Sequence, residues 1–170
     1  AKGNGQEVPD YGIYDQMDWP ESEQGFAAMI TLMDQDMGRI LDLLIELEIA
    51  ENTLVIFTSD NGPHNEGGHK VSFFNSSGPL KGYKRSLHEG GIRVPMIAWW
   101  PNTILPGESD HPSAFWDWLP TACELAGIDS PNGLDGVSFA PTLLGKTEMQ
   151  AKHDYLFWRW SRFRACLLYT

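Results

Sequence analysis

Apolar residues recur every three or four positions between Phe26 and Leu47, with charged and amide side chains between them. This spacing gathers the apolar side chains on one face of a long helix. Asp18 and Pro20 precede the pattern and two glutamates follow them, as is typical of a helix start. The sequence therefore predicts a helix that starts near Asp18, with Asp18 as its N-cap and Pro20 in its first turn.

Two short apolar runs, rich in β-branched and aromatic residues, come after this helix. Residues 54–58 end at the turn sequence Ser-Asp-Asn-Gly-Pro, and residues 96–100 end at Pro101. Continuous apolar runs of this length are typical of buried parallel strands. A helix that leads into such strands predicts an α/β fold with right-handed crossovers.

Residues 113–126 form a third apolar segment, which contains a proline and is followed by a glycine. The sequence predicts a helix here that breaks or bends near Pro120 and stops at Gly127. Its aromatic and aliphatic side chains, with Cys123 among them, are predicted to be buried. Residues 155–160, Tyr-Leu-Phe-Trp-Arg-Trp, predict a further strand.

Composition and charge narrow the possible partners of this chain. With 170 residues, 42% of them hydrophobic, the chain can bury the core of one domain. Its net charge of −11 argues against a nucleic acid or an anionic membrane as partner, because phosphates would be repelled. No apolar run reaches the length of a membrane span, and no signal segment is predicted. The cysteines, Cys123 and Cys166, fit neither a metal pattern nor a disulfide-rich scaffold.

The turn after the first predicted strand carries two adjacent oxygen donors, Asp60 and Asn61. In open α/β sheets, ligands bind beyond the carboxyl ends of the strands. A carboxylate and an amide oxygen there would suit Ca²⁺ or Mg²⁺. Asp-Asn-Gly-Pro is also a favourable turn sequence, and these four residues alone support a turn without metal at least as well.

A basic, glycine-flanked segment follows, and it contains Lys81, Lys84, Arg85 and Arg93, four of the chain's twelve basic residues. Glycine lets the backbone approach a ligand closely, and cations beside a metal-binding turn would form an oxyanion site. Composition alone favours a solvated basic loop. Arg93 is predicted to be a structural ion-pair partner of Glu89.

Between the turn and the basic segment, residues 64–70 read His-Asn-Glu-Gly-Gly-His-Lys. The spacing of these His and Glu residues matches no zinc pattern. The interpretation is a loop that faces a polar substrate, with His64 and His69 as contacts; a plain surface loop is equally consistent. Residues 71–77, which include Phe73 and Phe74, are predicted to anchor this loop against the fold.

The motifs T-S-D-N-G-P, P-L-K-G-Y-K-R and H-E-G-G-I-R-V-P follow one another in that order. From about Tyr11 to about Trp160, the chain resembles calcium-dependent, bacterial arylsulfatase-like members of the sulfatase family. The resemblance implies part of an alkaline-phosphatase-like α/β fold, mainly a parallel sheet flanked by helices. It implies that residues 1–145 are the C-terminal part of the large domain, and that residues 146–170 are a linker and the start of a small C-terminal α+β subdomain. Residues 161–170 depart from the family pattern.

By the same resemblance, Asp60 and Asn61 are two of the calcium ligands. Lys84, five residues before Glu89, matches a catalytic lysine that contacts the sulfate of the substrate. The family attacks with a formylglycine, made from a Cys or Ser in a Cys/Ser-x-Pro-x-Arg segment. The chain contains no such segment, so the nucleophile is expected upstream of these 170 residues.

The sequence therefore predicts a sulfuric ester hydrolase, whose parent enzyme cleaves sulfate esters of aryl or carbohydrate substrates with the help of Ca²⁺. Its expected partner is a sulfated small molecule or a sulfated glycan, and its expected location is the periplasm or the cell exterior. The 170-residue chain alone is predicted to be inactive. Two alternatives remain: a phosphoesterase of the same superfamily, and a catalytically dead sulfatase-like protein that binds glycans.

Overall fold

The computed structural model describes residues 5–168, which form two compact units. The first unit contains the described residues up to Ala50, together with Thr58–Met96 and Trp160–Phe163. The second contains Glu51–Phe57, Ile97–Arg159 and the described residues from Arg164 onward. The predicted domain boundary at residues 145–146 stays a prediction. Among the described residues, no helix combines the length and the apolar character that crossing a membrane requires.

The long predicted helix is present as α1 (Glu21–Glu46), but it begins later than predicted. Pro20 occupies the N-cap position with an extended backbone, at φ −54° and ψ 141°. An N-cap residue has non-helical dihedrals, so the extended Pro20 separates Asp18 from the helix. The prediction of Asp18 as N-cap is therefore wrong. The glutamates of the first turn, Glu21 and Glu23, are where the positive end of the helix dipole favours acids.

Burial along α1 is concentrated in its first turns, where Glu23, Gly25 and Ala28 are buried. The apolar side chains farther along the predicted stripe are open to solvent. Met29, Ile30, Met33 and Ile40 are each 40–49% exposed. The periodicity correctly predicted the helix, while the described residues leave much of its apolar face uncovered.

The two short apolar runs form strands β1 (Val55–Thr58) and β2 (Met96–Trp99), with the single-turn helix α2 (Glu89–Ile92) between them in the sequence. The strands pair in a two-stranded sheet. All four residues of β1 are half-buried, and the first two residues of β2 are exposed. The full burial predicted for these strands is wrong for the described residues, because in a sheet of two strands each strand is an edge.

In the second unit, a 3₁₀ turn, Phe115–Asp117, leads into α3 (Trp118–Ala126). Gly127 ends α3 with φ 67° and ψ 31°, the left-handed conformation that glycine adopts without cost, which confirms the predicted stop. Pro120 lies in the first turn of α3, where its missing N–H has no helical partner to lose. At the place of the predicted bend near Pro120, the helix changes from 3₁₀ to α geometry. The change occurs at Trp118, two residues before the proline.

The core of the second unit is small. Cys123 is buried as predicted, together with Phe139, Ala140 and Leu156. The burial predicted for Phe115, Trp118 and Leu119 is wrong, because these side chains are 42–60% exposed.

A buried aspartate, Asp117, ties the second unit together. Its carboxylate accepts hydrogen bonds from the backbone N–H groups of Ala114, at 2.7 Å, and Val137, at 2.8 Å. His153 Nε2 lies 2.7 Å from the same carboxylate, and the hydroxyl of Thr121 donates to the Asp117 carbonyl at 2.6 Å. A buried carboxylate with several donors around it is a structural anchor.

The chain continues through a short helix, α4 (Ala140–Leu143), to the predicted strand, β3 (Tyr155–Trp160). A second strand, β4 (Phe163–Leu168), pairs with β3 and forms a hairpin. Ser161, in the connection, has a φ of 55°, which suits a tight reversal. The sequence did not predict β4, because residues 161–170 depart from the family pattern.

Candidate active site

A pocket of about 340 Å³ lies within the first unit, beyond the end of β1. The turn that follows β1 forms one part of its wall, and the basic segment that leads to β2 forms another. Among the residues that line it are Asp60, Asn61, His64, Lys84 and Arg93. The structure thus brings together four of the five residues that the sequence predicted for the site, and His69 is not among the lining residues.

The pocket keeps its shape because two glycine-containing segments meet backbone to backbone. The N–H of Gly62, in the turn after β1, donates to the carbonyl of Gly91 in α2 at 3.0 Å. A Cβ at Gly62 would lie 1.9 Å from the carbonyl oxygen of Gly90, closer than real Cβ contacts come. A Cβ at Gly91 would lie 2.1 Å from the Ser86 carbonyl oxygen. The glycines of D-N-G-P and E-G-G are therefore required by close approach of the backbones.

Asp60 and Asn61 form a contiguous pair of oxygen-bearing side chains at the pocket. The amide nitrogen of Asn61 donates a hydrogen bond to the Asp60 carboxylate, and the Ser59 hydroxyl donates to the Asn61 carbonyl at 2.8 Å. The amide nitrogen of Asn61 is occupied by this hydrogen bond. The amide oxygen is the atom of this side chain that can bind a cation.

The donor chemistry of this pair fits calcium, because a carboxylate and an amide oxygen are both hard ligands. Calcium takes about six to eight oxygen ligands, so two residues supply only part of a shell. Within the described part of the chain, no three His, Cys, Asp or Glu side chains gather in a way that could hold a metal. Asp60 and Asn61 therefore fit as a partial calcium site that other oxygen ligands would complete.

Lys84 is held in the pocket by a carboxylate. Its Nζ donates to Glu66 Oε2 at 3.0 Å, and Nη2 of the adjacent Arg85 donates to Glu66 Oε1 at 2.8 Å. The hydrogen bond from Lys84 is the main cause of a lowered pKa of the Glu66 carboxyl. The Lys84 backbone N–H donates to the Pro63 carbonyl at 2.8 Å, which ties this lysine to the turn after β1.

His64 presents a neutral imidazole to the pocket. Burial is the main cause of a lowered pKa of this ring, so its neutral form dominates near pH 7. Its Nδ1 accepts a hydrogen bond from the Glu66 backbone N–H at 3.1 Å. In a neutral ring with an accepting Nδ1, the proton resides on Nε2. The Nε2 of His64 is therefore a hydrogen-bond donor.

His69 takes a different position from the one predicted for a substrate contact. Its side chain is buried, and Nδ1 lies 2.5 Å from Glu23 Oε2 in α1. The ring stacks on Phe26, with the centroids 3.7 Å apart, and the N–H of Lys70 donates to Glu23 Oε1 at 2.9 Å. In this structure His69 ties residues 64–70 to α1.

The predicted aromatic anchor of this loop is confirmed. Phe73 and Phe74 both pack edge-on against Trp19, with centroid distances of 5.6 and 5.2 Å. The predicted ion pair between Arg93 and Glu89 is also present, at 3.8 Å across one turn of α2.

Sequence reasoning considered Glu66 only as a metal ligand and missed its bond to Lys84. The one signal was an acidic residue in a loop close to a basic segment.

The class of protein is shown by the match of this chain to a family model. A family model described as Sulfatase matches residues 7–128, and the chain belongs to the sulfatase family. The predicted family is thereby confirmed.

Named relatives agree with this assignment. The chain is 42% identical to human steryl-sulfatase over 130 residues, which is 74% of this chain and 22% of that protein. It is 35% identical to human N-acetylgalactosamine-6-sulfatase over 153 residues, which is 76% of this chain and 28% of the relative. The chain thus spans about a quarter of the length of these relatives.

Solved structures confirm the alkaline-phosphatase-like sulfatase fold. Ps i-CgsB, crystallised in complex with k-i-k-neocarrahexaose, matches with a TM-score of 0.65 and 31% identity over 76% of this chain and 28% of its own. The PsFucS1 sulfatase from Pseudoalteromonas sp. matches with a TM-score of 0.60 and 29% identity, over 83% of this chain and 27% of its own.

Proposed function

We propose that the protein to which this chain belongs hydrolyses sulfate esters. The observation that carries this proposal is that Lys84 lines the same pocket as Asp60 and Asn61 in a chain of the sulfatase family. Cleavage of a sulfate ester develops negative charge on the sulfuryl oxygens and on the leaving alcohol. A fixed ammonium group and a divalent cation stabilise such charge.

Each residue then has a definite role. Lys84 binds a sulfate oxygen and stabilises its charge, and the Nε2–H of His64 donates to a substrate oxygen. Asp60 and Asn61 supply two oxygen ligands of a calcium ion, which when bound supplies electrostatic stabilisation of the sulfuryl group. A formylglycine nucleophile lies in the part of the protein upstream of this chain. His69, which is buried, positions the loop.

The proposed substrates are sulfated aryl compounds or sulfated carbohydrates, in the periplasm or outside the cell. The names of the relatives support sulfated substrates, because they include a steryl-sulfatase and an N-acetylgalactosamine-6-sulfatase. A carbohydrate is supported by the neocarrahexaose complex of one structural relative. The phosphoesterase and glycan-binding alternatives find no support among these names.

Turnover of 4-nitrophenyl sulfate and 4-nitrophenyl phosphate by the full-length protein tests the proposal. We expect cleavage of the sulfate ester in preference to the phosphate ester, loss of activity on chelation, and recovery with Ca²⁺. The 170-residue chain, assayed in parallel with Ca²⁺, should show no turnover. Preference for the phosphate ester, or no cleavage of either ester, would contradict the proposed function, and turnover by the 170-residue chain would contradict its predicted inactivity.

A further inference from the structure

The Glu66 carboxylate binds two consecutive basic side chains at once, Lys84 through Oε2 and Arg85 through Oε1. Arg85 has a φ of 72°, in the left-handed region that non-glycine residues rarely adopt. Such a conformation persists only where the surrounding contacts determine it. The ion pair between the Arg85 guanidinium and Glu66 is one contact of this residue.

The backbone of Glu66 is held as firmly as its side chain. Its N–H donates to His64 Nδ1 at 3.1 Å, and its carbonyl accepts from the His69 N–H at 3.1 Å and from Gln6 Nε2 at 3.1 Å. These three hydrogen bonds fix the backbone from which the Glu66 carboxylate extends. The same residue sets the tautomer of His64 and receives the ammonium of Lys84.

We propose that Glu66 is a positioning residue that prepares Lys84 to bind the sulfate group, an inference that rests on the proposed function. An ammonium group has three donors. Glu66 takes one of them, which leaves two for the oxygens of an anion in the pocket. Holding the flexible lysine side chain in one geometry before the substrate arrives removes an entropy cost from binding.

Charge supports this role. A carboxylate beside a sulfate site would repel the substrate if its charge were uncompensated. Arg85 supplies the compensating charge, so Glu66, Lys84 and Arg85 together carry one net positive charge. The side chains of Glu66 and Lys84 are 40% and 31% exposed, so this cluster is open to an incoming anion.

A double-mutant cycle in the full-length protein tests the inference. Glu66→Ala should lower kcat/KM for 4-nitrophenyl sulfate about fivefold, in the range of coupling within one ion-pair network. Glu66→Gln, which retains an acceptor oxygen at the same reach, should recover part of this loss. In a Lys84→Ala background, Glu66→Ala should change kcat/KM less than about twofold. An equal loss in both backgrounds, or unchanged activity of Glu66→Ala, would overturn the inference.

A second measurement does not depend on activity. Acetylation of Lys84 by acetic anhydride, followed by mass spectrometry, should be several times faster in Glu66→Ala and Glu66→Gln than in the wild type. The matched control is Asp36→Asn, which removes the acid of an exposed ion pair with Arg39 on α1 and should leave the rate at Lys84 unchanged.

The two measurements separate the possible failures. If the full-length wild-type protein cleaves no sulfate ester, the proposed function fails, and the labelling rates still show whether Glu66 holds the ammonium. If it cleaves the ester but labelling of Lys84 is the same in all variants, only the role of Glu66 is refuted. If Glu66→Ala does not fold, Glu66→Gln decides the question by the same labelling measurement.

Discussion

Two side chains with different kinds of hydrogen donor share the pocket. Lys84 offers a charged ammonium that is fixed by Glu66, and His64 offers a neutral N–H that is fixed by the backbone of the same residue. A charged donor stabilises developing negative charge more strongly than a neutral one. Loss of Lys84 should therefore lower catalysis more than loss of His64.

We expect Lys84→Ala in the full-length protein to lower kcat/KM for a sulfate ester by about two to three powers of ten, as loss of one charge-stabilising donor does. The matched control is Lys81→Ala, because Lys81 lies in the same basic segment and is not among the residues that line the pocket. Steady-state kinetics of both variants provide the measurement. A near-normal rate for Lys84→Ala would remove this lysine from the site.

For His64, we expect an NMR titration of histidine-labelled protein to give a midpoint below the ordinary value of 6.5, because burial disfavours the charged ring. The unfolded chain then binds this proton more readily than the folded one. The contribution of His64 to stability is accordingly lost as the pH falls from the unfolded pKa to the folded pKa. A midpoint at or above 6.5 would show that the ring is not held in its neutral form.

At the scale of elements, the turn after β1 and the short helix α2 are joined through their backbones. Gly62 and Gly91 share a hydrogen bond at 3.0 Å, and Gly90 donates to the Lys81 carbonyl at 2.9 Å. These bonds place the residues after β1 beside the basic segment. The positions of Asp60 and Lys84 relative to each other therefore depend on glycine at this contact.

We expect Gly62→Ala to lower the free energy of unfolding by about 1–3 kcal/mol, as overpacking does, because its Cβ would collide with the Gly90 carbonyl. Gly38→Ala is the matched control, since Gly38 lies within α1 and a Cβ there would meet nothing within 4 Å. It should raise stability by about 0.5–1 kcal/mol through helix propensity. Denaturant unfolding measures both, and equal effects would refute the close-approach argument.

Sequence periodicity was sufficient to predict the types of the main elements. It predicted α1, the first three strands and the stop at Gly127, because each of these depends on local spacing or on one residue's conformational freedom. It failed on the start of α1, because Pro20, with its extended backbone, occupies the N-cap position that was predicted for Asp18. It also failed on burial, which depends on which distant segments cover a surface.

The candidate site was predictable where it depends on short motifs. Asp60 and Asn61 were predicted from their turn and from the family resemblance, and His64 from its loop. Lys84 was predicted from the resemblance alone. All four line one pocket. The burial of His69 was not predictable, because it depends on Glu23, which lies 46 residues earlier in the sequence. The hydrogen bond between Glu66 and Lys84 was not predictable for the same reason, because it joins two segments that are 18 residues apart in the sequence.

At the scale of the whole molecule, the exposed apolar side chains of α1 stand out. Met29, Ile30, Met33 and Ile40 are each at least 40% exposed, on one predicted stripe. Surfaces of this kind bind apolar dyes and promote association. We expect the 170-residue chain, expressed alone, to enhance the fluorescence of anilinonaphthalene sulfonate and to self-associate.

Size-exclusion chromatography with light scattering provides the second measurement. Replacing Met33 and Ile40 together by lysine should reduce both dye binding and association, while replacing two exposed acids of the same helix, Asp36 and Asp42, by asparagine should not. A monomeric 170-residue chain that binds no dye would show that this face is covered in solution.

The glycine contact at the pocket also limits how selectivity can change. Where main chain lies directly on main chain, no side chain is present that could be enlarged, shortened or recharged. Ser76 and Leu80 line the pocket as well, and each has a side chain whose size a substitution could change. Among the residues that line this pocket, we therefore expect changes that alter its fit to a bulkier alcohol at positions that carry a side chain, and not at the glycines.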